Sequence, residues 1–189
     1  MDPFEFLIGL YTIIIGLGIS LLVHSVGQMI EGKARVRRYW VHSVWIVLVF
    51  VAHVVSWFAL WQYHGNLDWN VLEALLLLLV PITLYLVSYL AVPEITELGK
   101  DQHDMRTFYY GRHRLLQGLM ALAVILMMTN DALIMNTFTT SGAQIGRFAV
   151  LLVLVPGIIS ARPAIHAAQV VILLIHAGIG SPLYGFHIN

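Results

Sequence analysis

Apolar residues run along this chain in blocks too long for ordinary soluble helices: Phe4 to Ile30, Tyr39 to Tyr63, Val71 to Val92 and Leu115 to Met135. A membrane-spanning helix needs about 20 predominantly apolar residues, so each block predicts one span. Two shorter runs follow, Ile145 to Ser160 and Ala164 to Ile179. Between them stands "ARP", whose Pro163 suits the first turn of a new helix. The pattern predicts an all-α, polytopic membrane protein, a single domain over residues 1–189 built as a bundle of about six transmembrane helices.

Inside the blocks, polar positions recur at helical spacing. Gly9, Ile13, Gly16, Ser20, His24 and Gly27 share a face of the first span; His42, Trp45, Val49, His53 and Ser56 share one of the second. The third offers Glu73, Leu77, Pro81, Tyr85 and Ser88; the fourth Gln117, Ala121, Val124, Met128 and Asp131; the sixth His166, Gln169, Leu173, His176 and Gly180. A polar group facing lipid loses several kcal/mol of solvation that an inward one recovers through hydrogen bonds. The stripes therefore predict a shared polar, histidine-bearing interior. A plainer reading stands beside this one: Ser, Thr, Gln, Tyr and His also serve as interhelical contacts worth ~0.6 kcal/mol each. Small residues on the first span allow close helix approach, so that face is expected to point into protein, and it motivates a homo-oligomer. The fifth run carries Pro156 and Gly157, a predicted kink.

Charge sets the orientation. Lys33, Arg35, Arg37 and Arg38 fall in one connection, Lys100, Arg106, Arg112 and Arg114 in another, and Arg162 in a third. These are alternate loops, and cytoplasmic loops hold the excess of Lys and Arg, so both termini are expected on the non-cytoplasmic side of a cell inner membrane. Arg147, at the opposite end, breaks the pattern. The acids in "MDPFEF" argue against a cleaved signal peptide, so the first span is expected to stay as an anchor. The segment from Glu94 to Arg114 mixes charges with aromatics and predicts a short helix at the membrane surface. Composition agrees, with 59% hydrophobic and 11% charged residues and no net charge. The lipid bilayer is the expected partner, and nucleic acid is not, because no basic patch is interleaved with aromatics. With no cysteine, disulfides, thiolate metal sites and covalent haem attachment drop out.

Depth then sorts the histidines. At about 1.5 Å per residue, His53 and His176 lie roughly 20 Å from the basic boundary, while His24, His42 and His166 lie within roughly 5 Å of it. Three functions compete. Protons or small cations would pass along His53, His176, Asp131 and Glu73, with His24, His42 and His166 as an inner gate and Gln169 beside them, since imidazole exchanges protons near neutrality. Alternatively, His53 with His176, or His42 with His166, would ligate a b-type haem for electron transfer, no cofactor being needed otherwise. The third is a small non-catalytic subunit or scaffold. Lysine occurs only in loops, which excludes a retinal Schiff base; no arginine ladder, potassium-type filter or HExxH motif is present, and catalysis is not expected.

Overall fold

The computed structural model describes residues 3–31, 36–65, 69–93, 103–134 and 142–183. Among the described residues the fold is made of six α-helices: α1 (Pro3–Ile30), α2 (Trp40–Leu60, continued by a 3₁₀ turn over Trp61–Tyr63), α3 (Val71–Ala91), α4 (Met105–Ile134), α5 (Gly142–Ile159) and α6 (Pro163–Leu183). The all-α, membrane-type bundle read from the apolar blocks is the observed one. Four helices, α1 to α4, are long and apolar enough to cross a membrane, while α5 and α6 supply shorter apolar stretches over Ala143–Ile159 and Pro163–Ile179.

Local chemistry sets the helix boundaries. Asn70 caps α3 by accepting from the Glu73 amide at 2.9 Å, and the Glu73 carboxylate returns the bond to the Asn70 amide at 3.3 Å. This reciprocal box satisfies two amides that the first turn would leave bare. Two short strands, β1 (Val36–Arg37) and β2 (His103–Asp104), pair in parallel between the α1–α2 and α3–α4 connections, with Val36 opposite His103. No hydropathy signal announces so short a pair.

The helices close a ring. α2 packs on α3, α3 on α4, α4 on α5, α5 on α6, and α6 returns to α2, while α1 lies outside in the groove between α2 and α3. The packed interior holds Trp45, Val49, Leu84, Val87, Leu116 and Leu154, whereas Ile13, Leu17, Leu75, Leu152, Ile159 and Ile175 face outward. Large exposed aliphatics of this kind suit hydrocarbon surroundings rather than water.

Two expectations are corrected. The small-residue face of α1 does not point into this chain: Gly9, Ile13, Gly16, Ser20 and His24 are exposed, and the buried face is Phe4, Leu7, Tyr11, Ile15, Leu22 and Ser25. Larger side chains fill the α2–α3 groove better than glycines do. Second, α4 begins at Met105 instead of Leu115. Met105, Tyr109, His113 and Leu116 recur at helical spacing and are buried in the bundle, so residues 105–114 form the first turns of a span, not a surface helix. The remainder of that expected surface helix, residues 94–102, lies outside the described residues.

Candidate functional site

At the basic end, histidines complete the backbone of neighbouring helices. His42 Nε2 donates to the Ala91 carbonyl and His166 Nε2 to the Ser160 carbonyl, both at 2.8 Å. Those carbonyls stand at the ends of α3 and α5, where the intrahelical donor is missing. A carbonyl can only accept, so each of these nitrogens bears the proton. His166 Nδ1 is then an acceptor, and it receives the Tyr109 hydroxyl at 2.8 Å and the Gln117 amide at 3.2 Å. A neutral ring satisfies every bond that His166 makes. Gln169 extends the layer by donating to Gln117 Oε1 and to the Val153 carbonyl, each at 3.0 Å. Gly157 makes this bridge possible, since a Cβ there would run into both glutamine amides. His113 donates through Nδ1 to the Tyr110 carbonyl at 2.7 Å, and its buried Nε2 has no partner among the described residues.

Midway along the bundle, His53 is wholly buried. Its Nδ1 donates to the Val49 carbonyl at 2.8 Å, and its Nε2 accepts the Ser88 hydroxyl at 3.4 Å. Gly18 of α1 lies directly against the ring, leaving no room for a Cβ. His53 therefore faces α1 and α3.

The far end holds the ion pair. Asp131 of α4 accepts from Arg147 of α5, and also from the Tyr63 hydroxyl at 2.5 Å and the Gln62 and Gln144 amides at 3.1 Å. The side chains of Arg147 and Asp131 are 17% and 8% exposed, so Asp131 is buried and Arg147 mostly so. These donors use both carboxylate oxygens. Arg147 hydrogen-bonds only Asp131 among the described residues, although a guanidinium carries five donors. Beside this cluster a void of about 10 Å³ is lined by Tyr11, Ser56 and Asn130 among others. Such a volume suits one water. The Tyr11 and Ser56 hydroxyls bond each other, while Asn130 Oδ1 is buried without a partner among the described residues.

A much larger cavity, about 250 Å³ and partly open to the surface of the bundle, lies among α2, α4, α5 and α6. Its walls are chiefly apolar, including Leu48, Val55, Met120, Met127, Val150 and Leu173. Arg147, Gln62 and His176 are its polar members. The lining runs from Trp45 to Ala59 on α2 and from Ala143 to Leu154 on α5, and helical rise makes these stretches roughly 21 Å and roughly 16 Å long. The space is long and narrow, with Arg147 toward one end.

Of the sequence candidates, Asp131 reaches the far cluster, while His42, His166 and Gln169 enter the basic-end layer. Glu73 serves the α3 cap, and His24 sits on the exposed face of α1 with Gln28 at 3.1 Å. His53 and His176 do not share a space. At about 100° per residue, His53 lies roughly 140° around α2 from the wall of the cavity that His176 lines. The donor sets do not fit a bis-imidazole haem. His166 uses both nitrogens, His42 bonds Ala91, and the Tyr109 ring lies beside both of these histidines. Sequence reasoning missed Tyr109, Tyr63, Tyr11 and Asn130, and treated Arg147 only as an exception to the charge rule. That exception was the available signal, because a basic residue at the wrong end calls for an acidic partner nearby. Comparison of the chain with protein-family models, with curated proteins and with solved structures gives no match.

Proposed function

We propose that this protein binds an amphipathic molecule drawn from the bilayer, holding its chain in the cavity among α2, α4, α5 and α6 and its polar end near Arg147 and Gln62. The cavity carries the reading. About 250 Å³ of space bounded chiefly by apolar side chains gives an apolar chain close contacts and gives water few polar partners. Binding pockets commonly pair such walls with a few polar groups that fix orientation. Organic extraction of protein purified in nanodiscs, followed by mass spectrometry, tests the proposal. A species enriched over bulk lipid, and lost when Ala52→Leu and Ala177→Leu narrow the cavity of a protein with unchanged helicity, supports it. Identical extracts from both proteins overturn it.

A second reading, proton or small-cation movement, is favoured by one observation. The water-sized void beside Tyr11, Ser56 and Asn130 adjoins the Asp131 cluster and lies one turn of α2 from His53. Liposome flux unchanged by His53→Ala together with His176→Ala removes it. For either reading we infer an inner-membrane protein with both termini non-cytoplasmic, as the alternation of basic connections favours. Labelling of single introduced cysteines checks this, since the chain has none of its own. The exposed Gly9, Gly16 and Ser20 face of α1 favours a homo-oligomer. Light scattering that returns a monomer in mild detergent refutes that.

A further inference from the structure

Resting on the amphiphile reading, we infer that the molecule this cavity takes has an uncharged headgroup with acceptor oxygens, such as an ester or an alcohol, rather than an anionic one. A lone arginine in an apolar wall suggests a carboxylate or phosphate at first sight. Arg147 is not alone, however. The Asp131 carboxylate already neutralises it, so the polar end of the cavity has no net charge to offer. An incoming anion would lose its hydration and meet repulsion from Asp131 that offsets much of its attraction to Arg147. A cation fares no better. Asp131 has its oxygens taken up by Arg147, Tyr63, Gln62 and Gln144 and faces a new ligand with no open side.

What remains is hydrogen-bond donation. Arg147 lines the cavity and makes its one hydrogen bond among the described residues to Asp131. It therefore retains N–H groups that can point at a ligand oxygen without breaking the ion pair. Neutral oxygen acceptors use those donors at little desolvation cost. The pairing with Asp131 thus acts as the specificity filter, turning a charged side chain into a dipolar donor.

Binding of three probes with the same chain tests this: methyl dodecanoate, dodecanesulfonate and dodecyltrimethylammonium, measured on the full protein in nanodiscs. The readout is the part of Trp fluorescence change that disappears in Trp45→Phe, since Trp45 lines the cavity. The ester is expected to bind at least about tenfold more tightly than either ion, and Arg147→Gln to weaken it by about tenfold. Asp131→Asn leaves Arg147 uncompensated and is expected to move the preference to the sulfonate. A sulfonate that outbinds the ester in the unaltered protein overturns the inference, as does an ester preference that survives Asp131→Asn. Failure of all three probes to give a Trp45-dependent signal instead overturns the cavity reading beneath it.

Discussion

Removing one partner of the Asp131–Arg147 pair is expected to cost more than removing both. With side chains only 8% and 17% exposed, Asp131 buried and Arg147 mostly so, the pair stands nearer to buried ion pairs than to solvent-exposed ones. In a buried pair, loss of one member leaves an uncompensated charge and costs about 3–5 kcal/mol. Asp131→Leu falls in that range, because it abandons Arg147 along with the donors of Tyr63, Gln62 and Gln144. Arg147→Met falls at the lower end, since three neutral donors still hold the carboxylate. The double variant retains no charge, and what it loses is chiefly those three hydrogen bonds, at about 0.6 kcal/mol apiece within a membrane bundle. It should therefore cost about 2 kcal/mol, giving a coupling energy of roughly 4 kcal/mol or more in the double-mutant cycle. Unfolding of the four proteins by sodium dodecyl sulfate in mixed micelles, followed by far-ultraviolet circular dichroism, measures it. Single variants that each cost under about 1 kcal/mol and simply add would put the pair in the solvent-screened class. The reasoning about the far end would then fail.

Three further outcomes follow from the packing. Gly18→Ala drives a methyl into the His53 ring and should destabilise the bundle by about 1–3 kcal/mol; Gly16→Ala points into open space and should be neutral or stabilising by up to about 1 kcal/mol in the same unfolding assay. Equal effects would refute the α1–α2 contact. His166→Phe strips partners from the Ser160 carbonyl and the Tyr109 hydroxyl and should cost about 1–3 kcal/mol, whereas His113→Phe, which gives up the single bond to the Tyr110 carbonyl, should cost less, about 0.5–1.5 kcal/mol. Gly157→Ala should part the Gln117–Gln169 bridge, seen as faster hydrogen exchange at the basic ends of α4 and α6 while the far ends keep theirs.

Hydropathy alone made the spans legible, because lipid imposes one simple rule on the whole outward surface. Polar spacing revealed which residues were unusual but not what each would bond. His42 and His166 stood out at the right depth, yet their role depends on two helix ends, Ala91 and Ser160, brought beside them by tertiary packing. A stripe argument also treats every polar face as inward, which failed on α1 because its polar positions are mostly glycine and serine, small enough to lie against lipid or another chain. Tyr109 was hidden by its place in a charged segment. Arg147 was visible as a violation of the charge rule, and its partner Asp131 had been picked out separately. Joining them required knowing that α4 and α5 are neighbours at the far end.

The small parallel ladder between Val36–Arg37 and His103–Asp104 has a mechanical corollary. By clasping the α1–α2 turn to the α3–α4 turn, it fastens these two hairpins together at one rim. The α5–α6 pair stands outside that clasp, and it forms one side of the larger void. A rearrangement that admits a guest from the bilayer to the void would then fall on α5 and α6 more readily than on the four clasped helices.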